Sequence, residues 1–261
     1  MPARGVEVCN PDRTAVLSSQ GVTAASGEPI VLALDSAGSG CSVVLAAGET
    51  VLATERCANT RGQTERLLPI IDAVMRKPGL SAAALDIVAA TIGPGSFTGI
   101  RIGLAAVRGI ALATGARSVG VTSFEAVAAN LASRPHKRGA SFLLIALESR
   151  REDLYVQLFD RTYHPLVDPI AAMPATLDEV LRGLIGEAPL VVAGDAAQRA
   201  AHVLSARSST IVVGGSAPDA TGVLRAVLRR ARLGELHSPP LPLYLRPPDV
   251  TFSTTRRGFG R

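Results

Sequence analysis

Two stretches far apart in the chain, Leu32-Ala33-Leu34-Asp35-Ser36 and Ile145-Ala146-Leu147-Glu148-Ser149, share one pattern of apolar residues closed by an acid and a serine. Each opens a comparable succession. VLALDS (31–36), CSVVLAAG (41–48) and TVLATERC (50–57) read as three strands, the first two joined by a Ser-Ala-Gly-Ser-Gly turn. From Gln63 to Met75 the spacing is helical, with Leu67, Leu68, Ile71 and Val74 on one face, and Pro78-Gly79 stops it. DIVAATIG (86–93) is a buried strand and Phe97 to Ala113 a helix. The second series runs FLLIALES (142–149), DLYVQLFD (153–160), a weaker strand around 163–171, a helix over 177–184, the strand PLVVAG (189–194) and a helix over 196–204. A repeat this long implies two similar α/β halves, each βββαβα, facing each other across a cleft.

Two such units are the architecture of the actin-like ATPase and sugar-kinase (ASKHA) superfamily, an analogy of fold that does not carry function. The division expected is a flexible extension at 1–28, an N-terminal actin-like domain at 29–116, a C-terminal one at 117–246 and a basic tail at 247–261. The first 28 residues are polar, rich in small residues and without periodicity, and they lack the apolar core of a secretory signal. No apolar run reaches the roughly 18 residues that span a bilayer, so no membrane association and a cytoplasmic location are expected. Cys9, Cys41 and Cys57 are odd in number and lack C-x-x-C spacing, which suggests neither a disulfide framework nor zinc.

Charge is unevenly placed. From Arg225 onward there are eight arginines against Glu235 and Asp249, a balance of +6, while the whole chain is +5 and the remainder therefore −1. Such an end could touch RNA phosphates, or it could be a solvated helix face followed by a frayed terminus. With no Trp and 3% aromatic residues, base stacking on an aromatic platform is not expected.

The turn after the first strand offers Asp35, Ser36, Gly38, Ser39 and Gly40 as a nucleotide-binding set, since glycines allow backbone N–H groups to approach phosphates and the acid could sit near a metal. Small residues also make ordinary hairpins. His136, His164, His202 and His237 show no H-x-x-x-H spacing. Ser96 lies in PGSFTG rather than a G-x-S-x-G elbow and explains itself as the cap of the helix from Phe97. No G-x-x-x-x-G-K-[ST] loop occurs, so no catalytic residue is assigned.

That helix is unusual. Gly99, Gly103 and Gly109 each cost about 1 kcal/mol relative to alanine in a helix interior. With Ala105, Ala106 and Ala113 they make a slim rod, apolar nearly all round, that must be covered on more than one side. The offsetting gain would be close approach of another backbone, either within the same domain or from a partner.

GPGSFTGIRIGLAAVRGIALA, preceded by LALDSAGSGCSVVL and TERLLPIID and followed by SVGVTSFEAVA, ALESRREDLYVQLFD and PLYLRPPDV, closely resembles the TsaB (YeaZ) family over roughly residues 30–250. The resemblance implies a degenerate, non-catalytic relative of TsaD. With TsaD and the ATPase TsaE, such a protein supports transfer of threonylcarbamoyl to the adenosine beside the anticodon of ANN-decoding tRNAs. The H-x-E-x-H metal motif of TsaD aligns with Ser123-Phe124-Glu125-Ala126-Val127, where both histidines are lost and Glu125 alone cannot hold a metal.

The family's use of its two N-terminal-domain helices as half of a four-helix bundle with TsaD points to Leu67, Leu68, Ile71, Gly99, Ile102, Gly103 and Ala106 as partner-binding. On that reading Gly103→Leu leaves the monomer folded and abolishes co-purification with TsaD. The resemblance further implies a heterodimer or heterotetramer with TsaD, a homodimer when alone, and contact with tRNA only through the complex. It gives the chain no cofactor of its own, though ATP or ADP could sit at the partner junction. The competing reading is an independent actin-like ATPase or small-molecule kinase using the cleft at Asp35.

Overall fold

The strand Ile30–Asp35 (β1) is buried along its whole length, as a run of Val, Leu and Ala covered on both faces must be. The computed structural model describes residues 27–38, 40–58, 63–132, 141–207, 210–213, 217–236 and 239–246. The extension at 1–28, except for residues 27 and 28, lies outside them, as do Ser39 and the tail at 247–261. β1 pairs antiparallel with β2 (Cys41–Ala47), which pairs with β3 (Thr50–Cys57). Helix α1 (Gln63–Arg76) leads to β4 (Ile87–Gly93), parallel to β1, and then to helix α2 (Phe97–Thr114). β5 (Arg117–Thr122) pairs parallel with β4 and closes a sheet of order β3-β2-β1-β4-β5.

Helix α3 (Ser123–Ala132) leads to the second sheet. β6 (Phe142–Glu148), β7 (Leu154–Asp160) and β8 (Ile170–Ala172) are antiparallel neighbours. After helix α4 (Pro174–Ile185), β9 (Leu190–Ala193) pairs parallel with β6. After helix α5 (Ala197–Val203), β10 (Thr210–Val212) pairs parallel with β9. The order β8-β7-β6-β9-β10 repeats that of the first sheet, strand for strand and direction for direction. The repeat read in the letters is therefore a repeat of topology, and the chain has the actin-like α/β fold.

One boundary is corrected. The division at 116 would give β5 to the second half, but β5 belongs to the first sheet. The last helix, α6 (Ala220–Leu233), also returns there, packing Val223, Leu224 and Val227 against Val31, Ala33 and Ala89. Helices α1 and α2 cover the opposite face of that sheet, while α4 and α5 cover the outer face of the second. Helix α3 lies between the lobes. Ala126 and Ala129 join the core of the first sheet, whereas Phe124, Val127 and Leu131 join that of the second. Gly222 lets α6 lie close on α3, since a Cβ there would meet the Ala126 carbonyl oxygen at 2.3 Å.

A strap at 239–246 finishes the structure. Leu243 N–H donates to the Ile92 carbonyl at the end of β4 (2.8 Å), and Arg108 of α2 donates to the Pro240 carbonyl (2.7 Å). Farther on, Leu245 packs into the core of the second sheet and Arg246 ion-pairs with buried Asp153. The strap thus ties one lobe to the other.

Candidate functional site

The seven residues read as partner-binding separate into two groups. Leu67 and Ile71 are buried in the core that α1 forms with the first sheet. Gly99 and Gly103 are buried too. Ile102 and Ala106 are partly buried against that core, and Leu68 is 59% exposed. A partner can reach Leu68, Ile102 and Ala106, not the other four. On α2 the sequence could not separate them because both sides of that helix are apolar, whereas on α1 Leu68 lies off the buried face of Leu67, Ile71 and Val74 with which it was grouped.

The close approach that Gly103 allows is to the chain's own first hairpin. Ser36 Oγ donates to the Gly99 carbonyl (2.8 Å), and a Cβ on Gly103 would fall 2.6 Å from that same oxygen. Gly103→Leu therefore strikes the interior of the monomer, against the sequence expectation that it would leave the monomer folded. Ser96 caps α2 as read, accepting from Gly99 N–H (3.2 Å), and Gly115 in the left-handed region ends the helix.

The outward side of α1 and α2 carries apolar residues that sequence reasoning did not select. Leu112 is 89% exposed and stands with exposed Ala105, Gly109 and Ala113. Helix α2 has the length and mean hydropathy (1.3) to cross a bilayer. However, Arg101 and Arg108 interrupt it, and Ile100, Leu104 and Val107 fix its other side in the fold.

The five residues read as a nucleotide set do not form one cradle. Asp35 and Gly40 line a cavity of about 110 Å³ with Ser42, Arg56 and Cys57, small beside the roughly 300–1,000 Å³ of ordinary ligand pockets. Gly38 lines a different cavity of about 290 Å³ between the lobes. The Ser36 hydroxyl is committed to Gly99, and Ser39 lies outside the described residues. Asp35 accepts from Thr91 Oγ1 (2.7 Å) and Ala37 N–H (3.3 Å). Burial nevertheless pushes its carboxyl up to about 7.

The three positions aligned with a metal motif all have structural partners. Ser123 Oγ donates to the Pro94 carbonyl (2.8 Å). Val127 is in the core. Glu125 accepts from Thr122 N–H and Oγ1 (2.9 Å each) and pairs with Arg230. Among the described residues, no group of three or more His, Cys, Asp or Glu side chains could hold a metal.

The arginines of α6, read as either a solvated face or an RNA contact, are bonded within the chain. Arg225 donates to Asn130 (2.7 Å), Arg229 to the Tyr163 carbonyl (2.6 Å) and Arg230 to the Gly120 carbonyl (2.7 Å), and Arg232 pairs with Glu49.

A second, larger cavity of about 530 Å³ adjoins the interlobe one. It is walled by Phe97 and Arg101 of α2, Ser149, Arg151 and Tyr155 around the β6–β7 turn, and Tyr244 and Arg246 of the strap. Sequence reasoning missed this grouping, because its members come from three distant segments.

Comparison with known proteins places this geometry. The TsaB protein of Escherichia coli, a tRNA threonylcarbamoyladenosine biosynthesis protein, is 32% identical over 162 residues, which is 60% of this chain and 68% of that one. The chain belongs to the TsaB family. The same-named Haemophilus influenzae protein is 32% identical over 126 residues, 48% of this chain and 51% of that one. Residues 56–184 match the family model described as TsaD, tRNA N6-adenosine threonylcarbamoyltransferase. Among solved structures, YeaZ from Pseudomonas aeruginosa superposes with a TM-score of 0.68 at 22% identity, covering 83% of this chain and all of that one, a likeness of fold. Membership in this family assigns the chain to tRNA threonylcarbamoyladenosine biosynthesis.

Proposed function

We propose that the chain is an accessory, non-catalytic subunit that docks TsaD through the outward side of α1 and α2 and, with TsaE, supports threonylcarbamoyl transfer to the adenosine beside the anticodon of ANN-decoding tRNAs. The observation that carries this reading is the apolar residue pair left in solvent on one helical layer, Leu68 and Leu112, at 59% and 89% exposure. Large side chains so exposed, beside the small residues Ala105, Gly109 and Ala113, suit a facing pair of helices. The docking set is then Leu68, Ile102, Ala106 and Leu112, with Gly109 permitting close approach. The non-catalytic part of the reading rests on Ser123, Glu125 and Val127, whose side chains are bonded or buried within the fold.

The rival reading, an independent ATPase or kinase, has less behind it. The cavity at Asp35 is small, and the neighbouring serine is spent on α2. An ATP or ADP at the TsaD junction, a cytoplasmic location and a homodimer in the absence of TsaD belong to the proposal as well.

The test is capture of TsaD by tagged wild-type chain and by Leu112→Glu and Leu68→Glu variants, followed by a reconstituted tRNA modification assay with TsaE and ATP. Both variants are expected to fold, to lose TsaD capture and to lower modification in proportion. Capture unchanged by either substitution refutes the docking surface. Turnover of ATP by the chain alone would favour the kinase reading.

A further inference from the structure

We propose that the groove between Phe97, Tyr155 and Tyr244 binds a nucleotide of single-stranded RNA directly, its phosphates against Arg101 and Arg151 and its base against the aromatic rings. This deepens the reading above, giving the same subunit its own contact with the RNA substrate.

The concentration of residue types argues for it. The chain holds six Phe, three Tyr and no Trp, yet one Phe and two Tyr wall this one groove. Low aromatic content had argued against a stacking platform, but the fold gathers what there is. The Phe97 and Tyr244 rings lie 5.5 Å apart, tilted by 32°, and both side chains are substantially exposed. The Phe97 and Tyr244 rings, exposed at the mouth of the cleft, leave surface to which a base can be added, while Tyr155 packs partly against the core of the second sheet and forms the wall.

Charge is placed to match. Arg101, Arg151 and Arg246 line the groove, and no carboxylate is among its lining residues. The Arg101 guanidinium sits 3.6 Å from the Phe97 ring centroid, and its Nε donates to the Tyr244 hydroxyl (3.2 Å). It is thus held in place with the rest of its fork still available to a phosphate. Arg246 is neutralised by Asp153 and serves as wall. The adjoining cavity is lined by Arg150 and by Glu148 and Asp195, of which Glu148 is paired with Arg199 and Asp195 accepts from the Glu148 N–H. A volume of about 530 Å³ takes one nucleotide comfortably.

The experiment is fluorescence anisotropy of the full chain with a fluorescein-labelled, twelve-nucleotide single-stranded RNA over a salt series, with the same RNA as a duplex and free AMP as separate arms. Saturable binding to the single strand is expected, weaker for the duplex. Arg101→Gln/Arg151→Gln should weaken it roughly tenfold and lower the slope of log K against log salt by about 1 to 1.5. Phe97→Ala should weaken it about tenfold with little change in slope. Circular dichroism melts check folding; Arg151→Gln alone, on an exposed side chain, is the fallback if the double variant is unstable. Several outcomes overturn the proposal: no saturable binding in low salt, binding unaffected by the groove variants, binding lost only on truncating 249–261, or binding of AMP without the oligomer. Loss of TsaD capture by the groove variants with RNA binding intact also overturns it, since the groove would then serve a protein. The partner reading fails separately, through Leu68 and Leu112.

Discussion

Ser36 and Gly103 meet inside the first lobe: the serine hydroxyl, bonded to the Gly99 carbonyl, occupies the space that a side chain at 103 would need. The glycines of α2 thus serve at least two purposes. Gly103 seats the helix on the β1–β2 hairpin, whereas Gly109 faces open space.

Gly103→Ala is expected to destabilise the isolated chain by about 1–3 kcal/mol, because a buried, hydrogen-bonded oxygen must move. Gly103→Leu should cost more and deplete soluble protein. Chemical denaturation of the purified variants measures both. A Gly103→Ala variant as stable as wild type would mean that the helix is not seated as described.

Gly109→Ala should do the reverse. With nothing within 4 Å of its Cβ, the substitution gains helix propensity and should stabilise the chain by up to about 1 kcal/mol. If TsaD packs closely there, the same variant captures TsaD less well. A thermal melt and a pull-down on one preparation separate the two effects.

Stability should fall as pH rises from about 4 to about 7 on account of Asp35. Its carboxyl is raised to about 7 by burial, against the lowering effect of Thr91 and the Ala37 N–H. The folded state therefore holds this proton more tightly than the unfolded state. The stabilisation is complete below about pH 4 and is lost as pH rises through about 7. Asp35→Asn, which keeps the acceptor for Thr91, should raise Tm more at pH 8 than at pH 5. Equal effects at the two pH values would contradict the assignment.

Arg246→Ala should be costly. It leaves the Asp153 carboxylate, 2% exposed, with Ser149 Oγ (2.7 Å) as its remaining side-chain partner, and stranding a buried charge costs about 3–5 kcal/mol. Asp153→Asn/Arg246→Ala should recover part of that loss. A double-mutant cycle by urea denaturation would show the coupling, and additive effects would argue that the strap does not latch the second lobe.

Much of the fold was legible in the letters. β1 and β6 end at Asp35 and Glu148 as the repeated LALDS and IALES implied, and each opens the same strand order. Hairpins and amphipathic helices announce themselves through local periodicity, and so does the cap at Ser96. The short β5 (RSVGVT) and the return of α6 to β1 were not legible as parts of the first lobe, since each is decided by contacts with distant strands. The charged residues of α6 looked solvated for the same reason: their acceptors at Asn130, Tyr163, Gly120 and Glu49 lie far away in the chain.

The sequence by itself determined the repeated α/β architecture, the family and the loss of a histidine pair at Ser123 and Val127, because these are written in local pattern and residue identity. Tertiary structure alone decided which apolar side of α2 is core and which is surface, because both sides of that helix carry apolar residues. It also decided that Phe97, Tyr155 and Tyr244 share one groove, since only the packing of the lobes and the strap across them brings three separate segments to the same place.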